Sequence, residues 1–264
     1  VLVLLLAISR PQTPDYNSEV SIEGSDIMLA LDISGSMQLF DDLHDRRSRF
    51  EVAQKEALRF IDKRPNDPIG LTYFAAMAFS RCPLTLDKTL LHDLVVQTNL
   101  GDVRADGTVI SQALVVAINR LRSSQAASKI IILLTDGSPS QNDIPEDFAL
   151  DLAKKYNIKI YTIAIGAEGG GFIEHPLHGI GQVPDSINES LLQKIAHETG
   201  GAFFRSQNPT DMRRVYDAID ALETTEYQTP IYTRYYEWFV PLLWLVVALV
   251  MGECMITAIA RVLV

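Results

Sequence analysis

The sequence predicts an α/β domain, doubly wound around a mostly parallel central sheet of about six strands with one antiparallel edge strand. Three observations predict it. Between residues 25 and 225, short apolar runs alternate with amphipathic helical stretches, the order expected of a parallel sheet covered by helices. Two of those runs, residues 26–33 (DIMLALDI) and 129–135 (KIIILLT), are almost continuously apolar, as strands buried on both faces must be. The chain ends are apolar without any polar face, which separates them from the body. The whole chain has 264 residues, enough for one good-sized domain with some length to spare.

Taken in order, residues 26–33 form the first strand. Residues 48–63 follow as a helix with Phe50, Ala53, Ala57, Leu58 and Ile61 on one face. Residues 69–75 and 78–85 read as two strands, a hairpin at one edge of the sheet, where Pro83 is tolerated. Residues 87–97 read as a helix. Residues 108–122 give the clearest one, with Ile110, Ala113, Leu114, Ala117, Ile118 and Leu121 at alternating three- and four-residue spacing. A strand at 129–135, a helix at 146–156 and a strand at 159–165 come next. Residues 166–185, rich in Gly and Pro, read as a loop. A helix at 190–199 is stopped by Gly200 and Gly201, since glycine adopts left-handed backbone freely, and 202–205 is a short strand. Asn208-Pro209 opens a last helix carrying Met212, Val215, Tyr216, Ile219 and Leu222.

The ends divide differently. Residues 1–8 (VLVLLLAI) are too few to span a bilayer, which takes about 20 residues. Residues 1–10 are therefore read as the end of an N-terminal transmembrane helix or as a signal segment. Residues 11–24 are a linker, 25–225 the folded body and 226–237 an aromatic juxtamembrane linker. Residues 238–260 are expected to be a transmembrane helix with one charge, Glu253, entered through Tyr232, Tyr235, Tyr236, Trp238 and Phe239. The net charge of −10 falls within the body, because Arg10, Glu237, Glu253 and Arg261 cancel. An acidic body argues against nucleic-acid binding, which needs clustered Lys and Arg. Cys82 in the body and Cys254 in the apolar segment offer neither a disulfide nor a zinc or thiol-redox pattern.

The chemistry gathers where an open α/β sheet places ligands, at the carboxyl ends of its strands. The first strand ends in Asp32-Ile33-Ser34-Gly35-Ser36, and the strand at 129–135 ends in Thr135-Asp136-Gly137. Asp106-Gly107-Thr108 stands just before the clearest helix. Asp32, Ser34, Ser36, Thr108 and Asp136 thus offer two carboxylates and three hydroxyls. Hard oxygens suit Mg²⁺, with Mn²⁺ or Ca²⁺ as alternatives, and not the softer thiolate- or imidazole-bound metals. The Asp-x-Ser-x-Ser spacing turns three side chains toward one point if the strand breaks into a tight loop, with Gly35 supplying the freedom for the break. Two carboxylates balance a divalent charge, and neutral hydroxyls leave the ion able to attract another carboxylate.

These three pieces, in this order, resemble the metal ion-dependent adhesion site (MIDAS) of von Willebrand factor A (VWA) domains, over residues 25–223. The resemblance implies that Ser34, Ser36 and Thr108 contact the ion directly or through water. It implies that Asp32 and Asp136 act largely through water and hydrogen bonds. Residues 66–71 (NDPIGL), 81–87 (RCPLTLD), 128–137 (SKIIILLTDG) and 157–166 (NIKIYTIAIG) further resemble the bacterial aerotolerance (Bat) membrane proteins, the BatA type in particular. That resemblance implies a VWA domain on the periplasmic side of the bacterial inner (cytoplasmic) membrane, beside other Bat-type membrane proteins and a MoxR-type AAA+ ATPase. The chain departs from the family at Ser111, where Gly is usual, and at residues 137–142 (GSPSQN).

Other readings compete. Asp32 and Asp136 could only cap loops. No His stands where it would activate Ser34 or Ser36, and Asp-Ile-Ser-Gly-Ser is not the Gly-x-Ser-x-Gly elbow of α/β-hydrolases, so a serine hydrolase is disfavoured. Residues 174–178 (EHPLH) read as a surface loop, because Pro176 opposes a helix aligning the two imidazoles. Gly169-Gly170-Gly171 opens no helix and reads as a loop tip. The expected function is a non-enzymatic, membrane-anchored module that binds a protein partner's Asp or Glu through a metal ion. The alternatives are a metal-dependent hydrolase, which needs a general base beyond Asp32 and Asp136, and a structural subunit with a vestigial site.

Overall fold

The computed structural model describes residues 9–15, 20–23, 25–100, 107–175, 179–184, 187–223, 226–229 and 234–262. In chain order the strands are β1 (Gln12–Asp15), β2 (Val20–Glu23), β3 (Asp26–Asp32), β4 (Ile69–Phe74), β5 (Ala78–Thr85), β6 (Lys129–Thr135), β7 (Lys159–Ile165), β8 (Gly171–His175), β9 (Gly179–Val183), β10 (Phe203–Ser206), β11 (Glu226–Thr229) and β12 (Arg234–Glu237). The helices are α1 (Arg49–Lys63), α2 (Lys88–Val96), α3 (Ile110–Leu121), α4 (Glu146–Lys155), α5 (Glu189–Glu198), α6 (Pro209–Leu222) and α7 (Phe239–Val262).

The body is built on a six-stranded sheet of order β10-β7-β6-β3-β4-β5, parallel throughout except for the edge strand β5. Pro83 sits on that edge strand, where its missing N–H costs least. Strand alternation assigns each face. Ile27, Leu29 and Leu31 of β3, with Ile130, Ile132 and Leu134 of β6, pack against apolar residues of α1, α2 and α6. Met28 and Ala30, with Ile131 and Leu133, pack under α3, α4 and α5. Gly70 lets β4 lie close to β3, since a Cβ there would stand 2.4 Å from the Met28 sulfur. All of these core side chains are buried. Each large aliphatic is therefore worth about 2–5 kcal/mol against truncation to alanine.

The strands and helices predicted between residues 26 and 222 are all present, with ends within two residues of those expected. Ser48 caps α1 and forms a reciprocal capping box with Glu51, and Asn208 caps α6 with Pro209 in its first turn. Gly200 ends α5 with φ +75°, the left-handed residue expected there. Two expectations are corrected. Residues 166–185 are not a plain loop: β8 and β9 pair antiparallel within it, Phe172 opposite Gln182. A bridge joins Phe172 to Phe40, with hydrogen bonds in both directions at 2.8 and 3.0 Å. Glu174 and His175 lie on β8, while residues 176–178 fall outside the described residues. The two linkers also hold short strands, with β1 paired to β12 and β2 to β11.

The chain divides into two compact units, residues 23–227 and residues 1–22 with 228–264. In the second unit α7 contains a 21-residue stretch, Phe239–Ile259, with mean hydropathy 2.3 and no buried residues. It is the one described helix long and apolar enough to cross a bilayer. Trp238 stands exposed at its start, and residues 1–8 and Tyr232 lie outside the described residues.

Candidate metal centre

β3 sends the chain to β4 on one side, while β6 lies on its other side. The crevice at their carboxyl ends is thus a point where the winding reverses. Leu31 pairs with Leu134, so Asp32 and Thr135 end neighbouring strands, and Thr135 Oγ1 donates to Asp32 Oδ2 at 2.6 Å. Asp32 Oδ1 accepts from the backbone N–H of Ser34 at 2.8 Å, which folds the chain back on itself after β3. The break is a 3-10 turn over Gly35–Gln38. Gly35 opens that turn, as expected of the break, without adopting a positive φ.

The turn brings the hydroxyls together. Ser34 Oγ lies 3.0 Å from Ser36 Oγ, and Ser36 Oγ donates to Asp136 Oδ1 at 2.6 Å. Thr108 arrives from the loop before α3. It is held there by its own N–H donating to Ser140 Oγ at 2.7 Å and by Ser140 N–H donating to Thr108 O at 2.9 Å. Gly137 leaves room for it, because a Cβ at that position would stand 3.1 Å from Thr108 Oγ1. All five predicted residues therefore converge on one end of the β3–β6 crevice; Asp106 lies outside the described residues. Ser140, inside the segment that departs from the family pattern, is what anchors Thr108. At Ser111, the other departure, the backbone N–H donates to Asp143 Oδ2 at 2.7 Å, so a residue from the loop after β6 caps α3.

Asp32 and Asp136 are fully buried, and Ser34 and Thr108 nearly so. Burial, reinforced by the Asp136 charge, pushes the Asp32 carboxyl above its ordinary range. Burial likewise raises Asp136, against the hydrogen bonds from Ser36 and Arg49. Two buried carboxylates ringed by hydroxyls suit a hard divalent cation, whose charge would offset what burial disfavours. No group of three or more His, Cys, Asp or Glu side chains placed to hold a metal ion occurs among the described residues, so a cation here would draw most of its donors from hydroxyl oxygens.

One participant escaped the sequence reading. Arg49, the first residue of α1, is buried, and its Nη1 donates to Asp136 Oδ2 at 2.9 Å. Its Nη2 and Nε donate to Asp41 Oδ1 at 2.7 and 3.0 Å. No sequence signal marks it, because a basic residue in a helical first turn reads as surface. A cleft of about 60 Å³ adjoins it, lined in part by Asp41, Ile165 and Asn208.

The profile of the von Willebrand factor type A domain matches residues 26–218. Among solved structures, the chain is similar to BatB from Bacteroides thetaiotaomicron (TM-score 0.63, 24% identity, covering 76% of this chain and all of that one). It is also similar to an aerotolerance-related membrane protein from Bacteroides fragilis (TM-score 0.62, 25% identity, 75% and 98%). Proximal thread matrix protein 1 of the mussel byssus, solved with a zinc-occupied MIDAS motif, shares the fold (TM-score 0.59, 17% identity, 78% and 48%). A Borreliella burgdorferi protein of uncharacterized function is 30% identical over 207 residues, 77% of this chain and 60% of that protein. A UPF0353 protein of Mycolicibacterium paratuberculosis is 25% identical over 233 residues, 83% and 67%. The chain thus spans about three fifths to two thirds of the length of these relatives. With its doubly wound sheet and the matched span from β3 into α6, this chain belongs to the von Willebrand factor type A domain family.

Proposed function

We propose that the chain is a membrane-anchored module that captures a protein partner through a divalent cation held at Asp32, Ser34, Ser36, Thr108 and Asp136, and that it is not an enzyme. The observation that carries this reading is the pair of buried carboxylates, Asp32 held by an N–H and a hydroxyl and Asp136 by Arg49 and Ser36, that gather hydroxyls at the β3–β6 crevice. Mg²⁺ is the ion best matched to such hard oxygens, with Mn²⁺ or Ca²⁺ as substitutes. When bound, the ion supplies an electrophilic point for an incoming carboxylate. The chain's own residues do the rest. Ser34, Ser36 and Thr108 furnish neutral donors, while Asp32 orients Ser34 and Thr135, and Asp136 orients Ser36.

One further observation favours binding over catalysis. Both carboxylates are committed to hydrogen bonds within the site, which leaves neither as a free general base. The apolar α7 and the likeness to an aerotolerance-related membrane protein support anchorage in a membrane, which we take to be the bacterial inner membrane with the body on its periplasmic side. Partners in that setting are other Bat-type membrane proteins and a MoxR-type AAA+ ATPase, one of which presents an Asp or Glu to the ion.

Crosslinking in native membranes followed by mass spectrometry tests this. Wild type should retain partners that are lost with Asp32→Ala and with EDTA. Equal capture by wild type and Asp32→Ala, undiminished in EDTA, would contradict the reading.

A further inference from the structure

The Arg49 guanidinium is the least expected group at this centre, since it sets a fixed cation beside residues suited to hold another. Its geometry is over-determined. One edge meets Asp136 Oδ2 and another meets Asp41 Oδ1. The loop after β7 closes over it: Cβ atoms added at Gly166 and Gly171 would stand 2.8 and 2.9 Å from Nη2. Gly166 holds φ +143°, which side-chain-bearing residues rarely adopt, so the backbone is shaped to admit this side chain. The Arg49 N–H also donates to Leu39 O at 2.7 Å, tying α1 to the loop that follows the serine turn.

Two consequences follow for Asp136. Its Oδ2 is taken by Arg49 and its Oδ1 by Ser36, so the carboxylate is turned to present a serine hydroxyl, not a bare oxygen, toward the crevice. The local charge is also limited. Asp32, Asp41 and Asp136 against Arg49 leave a formal −2, the charge that one divalent cation neutralises.

We propose that Arg49 is a positioning residue for the cation: it keeps Asp136 behind Ser36 and holds the site's charge down, so that a bound ion retains its demand for a partner carboxylate. The inference rests on the cation-site reading above and assigns Arg49 and Asp41 a part in it.

The test is calorimetric titration of the detergent-solubilised full chain with Mg²⁺ alone. Arg49→Gln frees Asp136 Oδ2 and removes one positive charge, and should tighten Mg²⁺ binding about tenfold or more. Asp41→Asn removes a negative charge while leaving Arg49 on Asp136, and should weaken binding about threefold. A purely structural Arg49 predicts weaker binding in the first variant and no change in the second. Folded Arg49→Gln binding Mg²⁺ no tighter than wild type would overturn the proposal. If Arg49→Gln fails to fold, Asp41→Asn decides, and unchanged affinity there overturns it. Wild type that binds no Mg²⁺ sinks the cation-site reading itself, which separates the two failures.

Discussion

The two ends of the central sheet bury acids in opposite ways. At the amino ends of the strands, Glu223 accepts from Ser128 Oγ and Lys159 Nζ, each at 2.7 Å, and from the Tyr161 hydroxyl. Asp67 meets Arg64 Nη1 at 2.7 Å and accepts from the N–H of Ser25 at 2.8 Å. Burial opposes ionisation of Glu223, but the hydrogen bonds from Lys159, Tyr161 and Ser128 outweigh it and hold the carboxyl below its ordinary range. At the carboxyl ends, burial and the Asp136 charge outweigh the hydrogen bonds that Ser34 and Thr135 give Asp32 and push its carboxyl upward instead. A buried acid with its full complement of donors serves the fold. A buried acid left short of positive charge is what our proposal takes as a place for a ligand.

Substitutions at the two ends should have opposite effects. The largest effect is expected from Glu223→Ala, which removes three hydrogen bonds to a charged group and should cost about 2–3 kcal/mol in denaturant unfolding while Mg²⁺ affinity stays unchanged. Asp32→Asn should do the reverse. It removes an under-compensated buried charge and should stabilise the metal-free protein by about 1–2 kcal/mol, while cation binding is lost. Destabilisation by both substitutions would erase the distinction between the two ends.

The pH dependence carries the same signs. Asp32 is raised from 3.8 to about 7 in the metal-free fold, chiefly by burial. Its contribution is therefore fully present below pH ~4 and is lost as pH rises toward 7, where folding opposes the charge. Glu223 is held below 4.5, so its contribution is present above that value and lost as pH falls through the lower folded pKa. Thermal melts of wild type, Asp32→Asn and Glu223→Gln in EDTA at pH 3–8 should show the wild-type-to-Asn gap widening upward and the wild-type-to-Gln gap closing downward. The smallest effect is local. Ser48→Ala removes the capping box beside Arg49 and should cost about 1 kcal/mol with no change in Mg²⁺ affinity.

What the sequence made legible follows from range. The strands were readable because burial on both faces makes runs such as KIIILLT, and the helices because three- and four-residue spacing marks a single packed face. Asp32, Ser34, Ser36, Thr108 and Asp136 were readable because each sits beside a strand or helix end, where a fold of this type gathers its ligands. The β8–β9 hairpin was not, since GFIEH and GIGQV are short, glycine-bearing and exposed, with little alternation to count. Arg49 was missed for a different reason. Its meaning lies in contacts with Asp41 and Asp136, and the second is 87 residues away along the chain. The same holds for Ser140 and Asp143, whose hydrogen bonds to the Thr108 loop and to α3 are made only once the sheet has formed.

The contrast rests most directly on whether the carboxyl end of the sheet takes up a divalent cation. Calorimetric titration of Mg²⁺ into wild type, Asp32→Ala and Glu223→Gln, at pH 7.5 after EDTA treatment, measures it. One site is expected in wild type and in Glu223→Gln and none in Asp32→Ala; equal binding by Asp32→Ala and wild type, or no binding by wild type, would contradict the account.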